Sequence, residues 1–204
     1  MQEKKRGRTH SRWLLPAALV LAGAAWFENF TLSTSTVTAA CAALPEAFSW
    51  LRIVQISDLH GRRFDAESRY LLELVRLQSP DLIALTGDLA DEFTDFSMLP
   101  PLLDGLTALA PTFYVTGNHE WVLSREKREA LFSMLDAAGV VRLQNEYRLL
   151  KKGQASIVLA GVDDPNGPYD QKRPAQLVRE IRQSRGRDAY ILMLSHRNDE
   201  LDGW

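Results

Sequence analysis

The chain has 204 residues, 46% of them hydrophobic and 25% charged, which is enough for one sizeable core and makes a single globular domain the expectation. A formal net charge of -2 gives no electrostatic case for a nucleic-acid partner, which would show as a strongly basic face. The single cysteine, Cys41, excludes an intrachain disulfide framework and a cysteine-rich zinc site, so any bound metal must be held by histidine, carboxylate and amide.

Residues 1–12 form a basic head carrying Lys4, Lys5, Arg6, Arg8 and Arg12, and an uncharged run follows from Trp13 to Phe27, closed by Glu28. The run is shorter than the roughly 20 residues of a comfortable membrane span, and both a short anchor and a signal segment cleaved near Ala22-Gly23-Ala24 stay open. Trp13, Trp26 and Phe27 at its two ends favour the anchor, because aromatic rings settle at the headgroup level. The positive-inside bias then leaves the head in the cytoplasm and places the rest at the membrane on the extracytoplasmic side; cleavage would make the rest a secreted product. Residues 28–49 are Thr/Ser-rich, turn at Leu44-Pro45 and read as a juxtamembrane segment with one edge strand. A globular domain is expected over 50–204.

Within that domain the pattern alternates. Residues 51–58 are a short Ile/Val run ending in polar residues, 66–78 have helical periodicity, and 81–88 are apolar again and end in Gly87-Asp88. A helix is expected after the prolines of 96–109 and a third strand over 111–120. A further helix is expected over 124–139, with Ser124 as its cap and Gly139 past its end. Residues 148–162 read as a hairpin turning at Lys152-Gly153, 174–184 as a helix and 189–196 as a final strand. Such alternation implies an α/β fold with a mostly parallel sheet.

Polar clusters fall at the carboxyl ends of the strands: Asp58 and His60, then Asp88, then Asn118, His119 and Glu120, then His196. Ligands of open α/β sheets bind at that rim. Asp58, Asp88 and Asn118 are thirty residues apart each time, one strand-helix repeat, so residues distant in the chain meet at one place. Carboxylate, imidazole and amide oxygen suit Mn, Fe, Zn or Mg, and a shared carboxylate such as Asp88 can bridge two ions about 3.5 to 4 Å apart. The glycines before Asp88 and Asn118 permit tight turns and leave room for a ligand.

In order, "SDLH", "TGD", "GNHE" and "LSH" resemble the successive motifs of the calcineurin-like metallophosphoesterases, and the basic head with its apolar run is similar to the membrane-tethered bacterial branch. The resemblance covers residues 50–196. It implies a four-layer α/β/β/α sandwich, incomplete at the carboxyl end, with two divalent metal ions and a metal-activated hydroxide that hydrolyses a phosphomono- or diester. By position, Asp58 and His60 would hold the first metal, Asp88 would bridge, and Asn118 and His196 would hold the second. His119 matches the histidine that the family uses on phosphate or leaving-group oxygens, the catalytic role.

The family continues from the "LSH" strand to a G-H-x-H motif whose histidines complete both metal shells, whereas this sequence stops at Trp204. Arg197-Asn198-Asp199 also stands where Asn-Pro-Asp is usual. On that count each shell is one ligand short, and the alternative is a truncated, non-catalytic remnant with weak or no metal binding. Among further candidates, Glu120 divides between orienting a metal-site histidine and a solvated loop carboxylate. Asp163 and Asp164 favour turn structure over substrate contact, Asp91 a helix start or the surface, and Arg62 and Arg63 a solvated pair over a phosphate contact.

Overall fold

The computed structural model describes residues 14–16, 19, 32–65, 67–168 and 171–197. It divides into two compact units, Met1–Val37 and Thr38–Trp204. In the first unit residues 14–16 and 19 are helical, with Leu14, Leu15 and Leu19 exposed. Most of the apolar run lies outside the described residues; among those described, no helix is long and apolar enough to cross a membrane. The edge strand expected between 28 and 49 is not formed by residues 32–45. Exposed side chains dominate there, no neighbouring strand supplies ladder partners, and after Val37 the composition turns to alanine, a poor strand former. A single 3-10 turn, Glu46–Phe48, follows and seats Phe48 in the core.

The second unit holds two sheets. Strands β1 (Ile53–Ile56), β2 (Leu82–Thr86), β3 (Thr112–Val115) and β4 (Val141–Arg142) form the first, in that order and all parallel. The crossovers carry helices α1 (Arg69–Gln78), α2 (Leu99–Leu109) and α4 (Arg125–Ala137), with the short α3 (Asn118–Val122) directly ahead of α4. Every residue of β2 and β3 is buried, as expected of central parallel strands covered on both faces. Helix α2 begins with Pro100 and Pro101 in its first turn, where no amide partner is lost. It buries Leu99, Leu102, Leu103 and Leu106 at i, i+3, i+4 and i+7. Ser124 caps α4 by accepting from the Lys127 amide at 3.3 Å.

Strands β5 (Glu146–Lys152) and β6 (Ala155–Gly161) form the expected hairpin. After helix α5 (Pro174–Arg185), β7 (Ile191–Leu194) returns parallel to β6, giving a second, mixed sheet of order β5-β6-β7. The final strand therefore belongs to a different sheet from β1, β2 and β3. Two features escape the sequence pattern: β4 is two residues long, too short for a period, and Asn118, His119 and Glu120 open a helix rather than extending a strand.

Two apolar clusters hold these elements. Leu82 and Ala84 of β2, Phe113 and Val115 of β3, Leu143, Leu159 of β6 and Leu194 of β7 form one, which joins the two sheets. Val158, Ala160 and Val162 form the other with Leu177 and Ile181 of α5. Burying each large side chain contributes about 1.5–3 kcal/mol. The exception in this apolar setting is the Tyr114 hydroxyl of β3, which is buried and has no hydrogen-bond partner among the described residues. Burial first, then the charges of Glu120 and Asp163, the closeness of the Glu120 carboxylate as an acceptor and the charge of Asp88 push its ionisation well above the usual tyrosine value, although the hydroxyl makes no bond of regular geometry.

Tyr114→Phe is therefore expected to leave the fold as stable or to stabilise it by about 1 kcal/mol, since it removes a buried hydroxyl that makes no hydrogen bond of regular geometry. Urea unfolding checks this, and a loss of stability would reveal a bond to that hydroxyl.

Candidate metal centre

The site is built from loops that are tied backbone to backbone before any side chain is considered. After β1 the Asp58 amide donates to the Gly87 carbonyl at 3.1 Å, the His60 amide to the Asp88 carbonyl at 2.9 Å and the Gly61 amide to the Leu89 carbonyl at 2.8 Å. The loops that follow β1 and β2 thus run as one strap. Asp58, His60 and Asp88 all have left-handed backbones, with φ of 55°, 48° and 54°. That conformation costs a residue with a side chain roughly 1–2 kcal/mol, and here the strap holds it in place.

Gly87 and Gly117 make the next approach possible. A Cβ on Gly87, whose φ is +88°, would strike the Gly117 backbone and lie 2.9 Å from His196 Nδ1, and one on Gly117 would strike the Asp88 carboxylate. The space left by these glycines is filled by the neighbouring loop and by His196.

Glu120 fastens the same two loops. Its carboxylate is wholly buried and accepts from the amides of Asp88 at 2.9 Å, Leu89 at 2.7 Å and Gly117 at 2.8 Å. The bond to Gly117 is that of a third-position glutamate reaching back to the start of its helix. Burial pushes the Glu120 carboxyl above the usual glutamate range, the three amides pull it back in part, and the Asp88 charge adds to the rise. Neither expected role for Glu120 matches: it is not solvated, and it binds backbone amides rather than a histidine. Its burial depends on the α3 turn, which the sequence pattern did not show.

The side chains then converge on Asp88. Oδ1 accepts from the His119 amide at 2.9 Å, and Oδ2 lies 3.5 Å from His196 Nε2 and 3.8 Å from His60 Nε2. His196 Nδ1 is 2.8 Å from the Thr86 carbonyl, which can only accept, so the proton of a neutral ring sits on Nδ1. Its Nε2 lone pair then faces Asn118 Oδ1 at 3.2 Å as well as Asp88 Oδ2. Three acceptors meet without a hydrogen between them, and a cation or a second ring proton is what satisfies them. His60 stands edge-on to His119, with ring centroids 4.7 Å apart.

All six residues taken from the sequence reach this one place. Their possible ligand atoms form two groups, each within 4.8 Å: Asp58, Asp88 and His196, and His60, Asp88 and His119. Asp88 is common to both. The grouping differs from the positional one, since Asp58 sits with His196 rather than His60, and the His119 ring is as close to His60 and Asp88 as a ligand would be. The donor set of carboxylate, imidazole and amide oxygen suits hard-to-borderline divalent ions.

Flanking residues divide. Asp91 is a turn residue whose Oδ1 accepts from the Phe93 amide at 3.0 Å and the Thr94 hydroxyl at 2.9 Å, while its Oδ2 lies 3.7 Å from His60 Nδ1. Partial burial pushes Asp91 up, but the Thr94 hydroxyl, the Phe93 amide, the His60 charge and the Thr94 amide together hold it below the ordinary aspartate value. Arg63 pairs with Asp95 at 2.6 Å and Ser97 at 2.7 Å on the surface. Asp163 and Asp164 open a turn, closed by the Gly167 amide to the Asp164 carbonyl at 2.9 Å, and both are also buried.

Residues 51–200 match the calcineurin-like phosphoesterase family. The chain is 33% identical over 117 residues to an uncharacterized metallophosphoesterase of Bacillus subtilis, YkoQ, covering 56% of this chain and 43% of that one. It is 33% identical over 118 residues to the phosphodiesterase YaeI of Escherichia coli, covering 55% and 43% respectively. A transmembrane protein with metallophosphoesterase domain from Danio rerio is 29% identical over 132 residues, 59% of this chain and 29% of its own. The chain thus spans less than half the length of these curated relatives.

Glu120→Gln is expected to destabilise the metal-free protein by about 1–3 kcal/mol, because an amide nitrogen must then face one of three buried donors. Guanidinium unfolding reads this directly, and an unchanged midpoint would mean that the three amides find other acceptors.

Proposed function

Because the chain belongs to the calcineurin-like phosphoesterase family and carries its hydrolase domain, we propose that the rim of acceptors around Asp88 binds two divalent metal ions and hydrolyses a phosphomono- or diester. The observation that carries this reading is the meeting of His196 Nε2, Asn118 Oδ1 and Asp88 Oδ2 with no hydrogen between them in the neutral ring. Asp88 would serve both ions; the family's order of motifs would give Asp58 and His60 to one and Asn118 and His196 to the other, whereas without metal Asp58 stands beside His196. Mn, Fe, Zn or Mg fits these donors. Bound ions would supply Lewis acidity and lower the pKa of water at neutral pH.

The protein's own groups do the remaining work. The Thr86 carbonyl keeps the proton of His196 on Nδ1, and Asp91 faces the far nitrogen of the His60 ring. His119, held edge-on to His60 with its amide on Asp88, would give a hydrogen bond or proton to the leaving oxygen of the substrate. The two apolar clusters, one between the sheets and one between the second sheet and α5, support a four-layer α/β/β/α reading of the fold. The basic head, the Trp-flanked run and the transmembrane relative support a membrane-anchored protein with its catalytic domain outside the cytoplasm.

Asp88→Asn is expected to lower bound metal more than Asp58→Asn, since one carboxylate serves both ions; equal losses by elemental analysis would remove the bridging assignment. With Mn²⁺ titrated, hydrolysis of bis(p-nitrophenyl) phosphate and p-nitrophenyl phosphate tests turnover, and metal bound without turnover would favour the non-catalytic alternative. His119→Ala should keep the metal and slow turnover by roughly 10²- to 10⁴-fold. Metal loss equal to that of Asn118→Ala would make His119 a ligand. On cell fractionation the protein should sediment with membranes and resist protease added from the cytoplasmic side, and a soluble full-length product would refute the anchor.

A further inference from the structure

Asp164 is a charge with no exposed side-chain surface and no part in the chemistry above. It stands just beyond β6, and its Oδ2 receives Arg197 Nε at 2.6 Å while its Oδ1 receives Arg197 Nη2 at 3.3 Å and the Asn166 amide at 2.9 Å. Arg197 directly follows His196. On the other side, the Asp164 amide donates to the Thr116 hydroxyl at 3.1 Å, and Thr116 lies two residues before Asn118. That hydroxyl also accepts from Trp121 Nε1 at 3.0 Å and donates to Asp163 Oδ1 at 2.9 Å. Its one proton and two lone pairs are all used.

A continuous polar bridge therefore runs from Arg197, next to His196, to Thr116, two residues before Asn118. It crosses from the second sheet to the first, and those two side chains are the ones that must stand 3.2 Å apart to share an ion. His196 is further bracketed by Ser195, whose hydroxyl donates to the Arg197 carbonyl at 2.9 Å. We infer that Asp164 and Arg197 are positioning residues for the metal held by Asn118 and His196: the ion pair, anchored on the buried Asp164 carboxylate with Arg197 partly exposed, sets the separation of two ligands that come from different sheets. This rests on the metal-binding reading given above. An exposed ion pair would do little, but a forked guanidinium on a buried carboxylate is directional, and a lysine cannot reproduce it.

The test uses the full chain with Asp164→Asn, Arg197→Ala, Arg197→Lys and the double variant Asp164→Asn/Arg197→Ala. Calorimetric titration with Mn²⁺ and the visible absorption of the Co²⁺ form report on the sites, and urea unfolding of the metal-free forms reports on the fold. Asp164→Asn and Arg197→Ala should each weaken one of two ions by about 10- to 100-fold, the weight of an outer contact to a metal ligand, and leave the other ion unchanged. The double variant should be no weaker than either single one, because the residues act as a unit, and Arg197→Lys should recover part of the loss. Should Asp164→Asn fail to fold, Arg197→Lys still decides the question, because it leaves a cation opposite the carboxylate. Wild-type affinity and Co²⁺ absorption in a folded Arg197 variant would overturn the proposal, as would equal weakening of both ions. A wild-type chain that binds no divalent ion would overturn the metal-site reading together with it.

Discussion

One buried carboxylate holds the ends of the central strands in place. Glu120 takes the amides of Asp88, Leu89 and Gly117, so the loops after β2 and β3 cannot separate without stranding three donors. What surrounds it follows from that closeness. Gly87 and Gly117 must lack side chains because the loops touch, Asp88 turns left-handed within the gap, and the His119 amide comes within reach of the Asp88 carboxylate. Strain and polar burial gather at this rim, while the apolar clusters below it supply the stability that lets the rim persist.

The same economy governs Asp88. One oxygen takes a backbone donor and the other is left among imidazoles, so the amide bond fixes the carboxylate's orientation and turns Oδ2 toward the histidines. His196 is treated likewise, one nitrogen tied to Thr86 and the other turned inward. Orientation of this kind is inexpensive when the anchoring partner is backbone, whose position the strands already determine.

Much of this arrangement could be read from the residues. The alternation of short Ile/Val runs with helical periods predicted the parallel strands β1, β2 and β3, and the thirty-residue spacing placed Asp58, Asp88 and Asn118 at one rim. Three things could not be read. Burial of Glu120 arises from tertiary closure, and nothing local distinguishes it from a solvated carboxylate. The departure of β7 to a second sheet depends on how the β5-β6 hairpin docks, which a pattern of period two does not encode. The pairing of Asp164 with Arg197 joins positions 33 apart that look, in sequence, like a turn and a loop.

The two-sheet origin of the site has a kinetic meaning. His196 meets the Thr86 carbonyl across 110 residues of chain, and it meets Asn118 across 78. A chain growing at about 5–20 residues per second completes β1, β2 and β3, with their loops, several seconds before that histidine is made. During this interval Asp58, His60, Asp88 and Asn118 can be in place while His196 is absent. Closure of the site is thus a late event in folding, set by docking of the second sheet, and metal captured early would be held by only part of its final set of ligands.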